Sequence, residues 1–446
     1  MKNLNFYKLI KVEVFLIISL IICWLSISTS LLDILNIYNV KKINFVNVSN
    51  FFRASTVVII FPILLFLLFK NFRSFNFKAN TLFIFSFLYF LMQLPGFIFY
   101  NNPLYNMGFV ISSLNILIIF FLINIHFNKK KYSIVFIITF VMLIIITLLN
   151  YKAFLTFFSE PYGNSLYTFF QSSETYLGKQ SPRSTGTSRT ILFLYIISNY
   201  LFFKFYNKFK ILKYFIYIVT SAFIILFQSR TTIGLWLIFI LLNYIFEKNF
   251  SFKNLLKYIA IYLILPLLVA PTSVILKAEI YEKSIISSIS NNDNSKEELK
   301  KELNLILEYS KRPIDPESFS SGRLEDWLKI INNIGQSKIY GFGAQGDRFM
   351  INQSASNAFL YALSSGGILG LSFFFLFTLN CLWILLKFFY FSYLRSNQKK
   401  EFFIATIVLL LIVRSILESS YSVFSLDYII FFSFINYLFY FSMKNQ

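Results

Sequence analysis

Six arginines carry most of the chemistry that this sequence could do: Arg183, Arg189, Arg230, Arg323, Arg348 and Arg414. A guanidinium is planar, permanently charged and able to grip phosphate oxygens two at a time. Several of them converging at one membrane face would suit a lipid-linked pyrophosphate. Arg230 sits in the short polar turn Gln228-Ser229-Arg230-Thr231-Thr232, and Arg414 lies deep in an apolar run. Charges in such places are costly and tend to mark function. Glu418 follows Arg414 by four residues and so shares its helix face. It could neutralise the arginine, orient it toward a phosphate, or take a proton from a hydroxyl. Glu325, Asp326 and Asp347 are the other carboxylates in the predicted outer segments that lie near these motifs. A general base for a hydroxyl nucleophile would come from these four, and the sequence does not choose among them.

Other chemistries find little to stand on. The single histidine, His126, ends an apolar run beside Lys129-Lys130-Lys131 and cannot build a zinc site alone. Cys23 and Cys381 both fall inside apolar runs, so no disulfide framework is visible. No metal and no cofactor is expected. Gly341-x-Gly343-x-x-Gly346 formally matches a dinucleotide fingerprint, but no βαβ unit surrounds it, and turn geometry accounts better for these glycines.

Those glycines belong to the most distinctive stretch of the chain, Ser337 to Leu371. Tyr340-Gly341-Phe342-Gly343 leads into a polar segment with Asp347 and Arg348. Then come Ser356-Asn357, a short apolar helix, and Gly366-Gly367-Ile368-Leu369-Gly370 at the opening of a long apolar run. Gly366 and Gly370 would give a small-residue face for close helix packing.

The elements that must position these residues are apolar helices. The chain has 446 residues, 57% of them hydrophobic and only 14% charged, and its mean hydropathy is +0.65. Soluble domains carry about 25% charged residues. Spans are predicted at 9–28, 54–70, 81–100, 105–126, 133–151, 190–206, 212–228, 231–247, 258–276, 362–390, 402–422 and 427–443. The predicted fold is an all-α polytopic membrane protein with about twelve transmembrane helices. The first run, with lysines before it and no small-residue cleavage site, reads as a retained anchor.

A net charge of +21 invites a nucleic-acid reading. The distribution argues against one, because the basic residues cluster between apolar runs. Lys70, Arg73 and Lys78, then Lys129 to Lys131, Lys204 to Lys213, Lys248 to Lys257 and Lys387 to Lys400 all fall in alternate loops. That is the positive-inside pattern, and it places both termini in the cytoplasm. Three outer segments are long: 29–53, 152–189 and 277–357. Within the third, Ser295 to Leu307 fits an N-capped amphipathic helix, and a second helix is expected from Leu324 to Ile334. The predicted organisation is therefore 1–276 with nine spans, 277–357 as a large outer loop, and 358–446 with three more spans.

Four pieces, taken in order, resemble the O-antigen polymerase/O-antigen ligase superfamily of bacterial envelope glycosyltransferases. They are Pro182-Arg183-Ser184-Thr185-Gly186; Gln228-Ser229-Arg230; Ser321-Gly322-Arg323 with Trp327 and Tyr340-Gly341-Phe342-Gly343; and Ser356-Asn357-Ala358-Phe359-Leu360 with Gly366 to Leu371. The resemblance covers roughly residues 180–420. Ligases of that family usually carry a histidine just before the asparagine that matches Asn357. Ser356 stands there, which favours the polymerase branch over the ligase; a lipid-linked oligosaccharide flippase is the reading from another class.

The resemblance implies a metal-independent, GT-C-like glycosyltransferase in the bacterial inner membrane, its large loop periplasmic. Its substrates would be undecaprenyl-pyrophosphate-linked oligosaccharides, with membrane lipid around it and a polysaccharide chain-length regulator as an expected partner. The growing glycan would pass from its carrier to the non-reducing end of an incoming repeat unit. On this basis Arg230, Arg323, Arg414, Glu418 and Asp347 are the expected catalytic residues. Arg183, Arg189, Tyr340, Gly341, Gly343, Arg348 and Asn357 are expected to bind substrate.

Overall fold

The computed structural model describes residues 12–27, 45–71, 81–96, 103–127, 129–149, 185–227, 229–247, 252–270, 323–351, 354–394 and 400–444. The described residues are all helical, with no strand among them. The order is α1 (Val12–Ile27), α2 (Phe45–Asn71), α3 (Thr81–Leu91), α4 (Pro103–His126), α5 (Lys129–Leu149), α6 (Thr185–Leu201), α7 (Phe203–Lys208), α8 (Lys210–Leu226), α9 (Arg230–Glu247), α10 (Phe252–Ile259), α11 (Arg323–Asn333), α12 (Gly346–Ile351), α13 (Ala358–Leu394), α14 (Phe402–Arg414) and α15 (Leu426–Lys444). Two helical stretches, Lys131–Leu148 and Ala358–Tyr390, are long and apolar enough to cross a membrane, and shorter apolar helices accompany them. Arg183, the predicted helix at 295–307 and most of the segment 152–189 lie outside the described residues.

The chain divides into two compact units. The first takes in the chain up to Ile145, Ile196–Leu201 and everything from Glu325 onward; the second takes in Ile146–Tyr195 and Phe202–Leu324. In the first, α3 lies along α13, α2 packs on α1 and α4, and α14 and α15 form a neighbouring pair. Aromatic side chains fill the space between them. Phe431 of α15 stacks on Tyr421 at 3.9 Å, and Phe136 of α5 meets Phe434 and Tyr437 edge-on. Glu13 of α1 and Lys131 of α5 form an ion pair.

Several helices differ from their predicted spans: α2 starts at Phe45, inside the predicted outer segment 29–53, the span at 190–206 is divided between α6 and α7, and three more bear on the site. Within the run at 81–100, α3 ends at Leu91; Met92 to Leu94 form turns, and a short 3₁₀ turn takes in Pro95, whose nitrogen carries no hydrogen to continue the ladder; 97–100 lie outside the described residues. The run at 402–422 leaves the helix at Arg414. Serines stop it by bonding the last carbonyls: Ser415 Oγ donates to Ile412 O (2.5 Å) and Ser420 Oγ to Leu411 O (3.2 Å). The tenth predicted span starts earlier, at Ala358, and is broken at Gly367, whose φ is 63° and ψ −159°.

The break is filled by the glycine-rich loop. In an unbroken helix the carbonyls of Ser364 and Ser365 would accept from the N–H groups of Ile368 and Leu369. Here they accept instead from Phe342 (2.8 Å) and Gly343 (2.9 Å), while Ile368 and Leu369 donate to the carbonyls of Lys338 (2.9 Å) and Ile339 (3.4 Å). The backbones come too close for side chains at several points, two of them the tightest. A Cβ on Gly367 would strike the carbonyl of Ile339, and one on Gly96 would strike the backbone of Gly343. Gly366 and Gly370 do form a small face, and Met92 packs on it.

The second unit is built on α8, α9 and α10. Ser229 starts α9: its Oγ accepts from the Thr232 N–H (3.4 Å), and its carbonyl accepts from Ile233 (2.9 Å). Trp236 of α9 donates through Nε1 to Ser221 Oγ of α8 (2.9 Å). After Ile259, α10 widens into a π turn over Ala260–Ile264.

Gly367→Ala should therefore lower unfolding stability by at least about 2 kcal/mol, through positive φ and the blocked approach. Gly234, in α9 with open space around it, should tolerate alanine or gain up to about 1 kcal/mol. Thermal unfolding of both variants in detergent checks the contrast.

Candidate functional site

The residues singled out between Tyr340 and Glu418 gather at one end of the first unit. Asn357 caps α13: its Oδ1 accepts from the N–H groups of Phe359 (2.8 Å) and Leu360 (3.1 Å). Its Nδ2 donates to the carbonyl of Ile416 (2.9 Å), and the next residue, Ala358, donates its N–H to the carbonyl of Ser415 (2.8 Å). These bonds fasten the start of α13 to the end of α14. Asn357, expected from sequence to bind substrate, thus has an assigned structural task as well.

Arg414 stands at that junction. Its guanidinium pairs with Glu418 and also with Asp427, in the first turn of α15. Glu418 was expected from its spacing. Asp427 escaped sequence reasoning because it lies thirteen residues along, on another helix, and Glu418 already made a complete local pair. The one signal available was its isolation as an acid at the head of an apolar run. The side chains of Arg414 and Asp427 are buried, whereas Glu418 keeps 21% of its side-chain surface. One cation held between two anions is a poor free receptor for a further anion. It is a rigid one, however, and Glu418 is the accessible carboxylate of the set.

Asp347 lies one short helix away, 1% exposed. One carboxylate oxygen accepts from the N–H of Arg348 (2.9 Å) and the other from the N–H of Ala355 (2.6 Å). Burial raises its carboxyl above the usual 3.8, against the opposing pull of those two N–H groups and of the Arg348 charge. With both oxygens engaged, Asp347 anchors the loop that ends at Asn357. Ala355, Tyr361 and Ile330 form a buried cluster with Met350, Ile351, Leu360 and Val423 against it, which seats α11 on the same end. Tyr361 Oη accepts from the N–H of Gln345 (3.2 Å), the residue that turns the glycine-rich loop into α12 with φ of 63°. Gly341 and Gly343 also adopt positive φ, 70° and 87°. Tyr340, half exposed, and Arg348, also exposed, present their side chains outward from this framework.

The other arginines stand elsewhere. Arg189 lies in the first turns of α6 and Arg230 opens α9, both in the second unit. Arg323 is the first residue of α11. Arg230 and Arg323 share an odd placement: each puts a cation at the positive end of a helix dipole. That is unfavourable by a few tenths of a kcal/mol up to about 1 kcal/mol unless an anion is near.

Removing one partner from a buried ion pair leaves an uncompensated charge and costs about 3–5 kcal/mol. Asp427→Asn should accordingly destabilise the protein far more than Glu418→Gln, which loses a partly solvated partner. Paired thermal melts of the two variants give the order.

No family model, curated protein or solved structure matches the chain, so the resemblance in its four motifs stands on those residues alone.

Proposed function

We propose that the protein is a membrane-embedded glycosyltransferase that polymerises lipid-linked oligosaccharides. It would take two undecaprenyl-pyrophosphate-linked repeat units at the outer face of the bacterial inner membrane. The growing chain would move from its carrier to the non-reducing end of the incoming unit, releasing undecaprenyl pyrophosphate. The observation that carries the reading is one of placement. The last two motif groups that suggested the family, from Tyr340 to Gly343 and from Ser356 to Leu371, are interlocked by backbone hydrogen bonds beside the Arg414 cluster.

The chemistry divides as follows. Arg230 and Arg323, both in the second unit, are the arginines that the resemblance assigns to the pyrophosphate, where they would stabilise the negative charge that grows on it as the glycosidic bond to phosphate breaks, an electrostatic role that can be the largest single catalytic contribution. In the first unit, Glu418, the partly exposed arm of the Arg414 cluster, is the carboxylate we assign to accept the proton of the attacking sugar hydroxyl. Tyr340 and Arg348 are exposed at the loop and suited to the acceptor glycan. A discontinuous helix is also a transporter feature, but in this chain loop backbone fills the break.

The test is the surface-glycan ladder of a strain lacking the gene, complemented with wild type or with Arg230→Ala or Arg323→Ala. Loss of the gene should leave glycans capped with a single repeat unit, and either variant, present at normal abundance, should shorten the ladder at least tenfold in polymer yield. Full-length polymer with both variants would sink the arginine assignment. Polymer stranded on its lipid carrier in the deletion would indicate a ligase, and single repeats trapped on the inner face a flippase.

A further inference from the structure

The second unit carries a cleft at its lysine-rich end, lined by residues that belong to none of the motifs used above. It encloses about 160 Å³ and is lined by Tyr214 of α8, Tyr244 of α9, and Asn254, Lys257, Tyr258 and Tyr262 of α10 and its π turn, among others. The tyrosines form a stack. Tyr258 and Tyr262 lie 4.1 Å apart and nearly parallel, Tyr244 packs on Tyr258 at 5.1 Å, and Tyr214 meets Tyr262 edge-on at 6.0 Å. Tyr262 lies within the π turn. Such turns are frequent at functional sites.

The walls are fixed by hydrogen bonds. Tyr258 Oη donates to the carbonyl of Ile240 and accepts from Asn243 Nδ2, both at 2.9 Å. Tyr217 Oη donates to the carbonyl of Tyr262 (2.8 Å). Lys257 and Asn254, three residues apart and therefore on one helix face, stand exposed at the mouth. No carboxylate is among the lining residues, and Lys204, Lys208, Lys210 and Lys213 add positive charge in sequence just before and within the start of α8. The flanks of the same helices are apolar and bare: Ile211 is 86% exposed, Phe215 62% and Leu256 52%.

A cationic polar mouth bordered by exposed apolar side chains matches the two halves of a phospholipid. We propose that this cleft binds the phosphate headgroup of an anionic phospholipid, with Lys257 and Asn254 at the phosphate and the acyl chains along Ile211, Phe215 and Leu256. The site rests on the membrane placement of the chain but not on glycosyl transfer.

The test is thermal unfolding of the purified full chain in a neutral detergent with added lipid. Phosphatidylglycerol should raise the midpoint by several degrees over phosphatidylcholine. Lys257→Glu should abolish that selectivity without moving the lipid-free midpoint, and Asn254→Ala should reduce it. Equal effects of the two lipids, or full selectivity in Lys257→Glu, would overturn the site. Inorganic phosphate alone reproducing the shift would overturn the lipid assignment in favour of a soluble phosphate. Recovery of the protein from cells in the soluble fraction without detergent would overturn the membrane placement itself.

Discussion

Four backbone hydrogen bonds hold the candidate site together: those exchanged between the loop Lys338 to Gly343 and the broken helix around Gly367. Neither partner is self-sufficient. Without the loop, the carbonyls of Ser364 and Ser365 and the N–H groups of Ile368 and Leu369 would be left unmet in an apolar setting, at about 1–3 kcal/mol each. Without the break, the loop would have no seat. Everything downstream inherits its position from this exchange: α12 with its buried Asp347, the turn through Ala355, and Asn357 at the head of α13.

The Arg414 cluster is the second constraint, and it acts on the other side of the same end. Taking a guanidinium and two carboxylates out of water is expensive, and the attraction among them offsets this only when the geometry is held. Here it is held by the chain's return from α14 to α15. Ser420, at φ of 37°, bonds back to Leu411. Tyr421 stacks on Phe431 and shares a hydrogen bond with Thr378 of α13 (3.0 Å), and Tyr89 of α3 donates to the carbonyl of Ser422 (2.9 Å). The cluster thus fixes Glu418 at the edge of a rigid junction, which is what a positioned proton acceptor needs.

Much of this was legible in the sequence where the signal was local. The apolar runs located the helices, the spacing of Arg414 and Glu418 announced a shared face, Gly366 and Gly370 announced close packing, and the turn before Arg230 was plain from its polar residues. What escaped was non-local. Gly367 reads as the opening of a helix when it is the gap that another segment fills, and nothing near it in sequence names Lys338 to Gly343 as the filler. Asp427 carries no mark of its partner. The run through Ser415 to Ser422 follows thirteen helical residues without a break in the predicted span, although it holds four serines and Glu418; the side-chain bonds of Ser415 and Ser420 to the carbonyls of α14 show that the helix has ended. Asn357 and Asp347 look like ligand-binding residues because polar groups beside apolar runs often are; the structure gives their oxygens backbone partners.

The proposed polymerase would join lipid-linked repeat units without a second enzyme. The most direct measurement is a reaction of the purified protein in detergent with a single undecaprenyl-pyrophosphate-linked repeat unit and no other acceptor, followed by mass spectrometry of the lipid fraction. A polymerase should yield carriers bearing two or more repeats, together with an equivalent release of undecaprenyl pyrophosphate. A substrate that stays monomeric in this mixture, yet is consumed once a lipid A core or another non-carrier acceptor is supplied, would contradict the proposal.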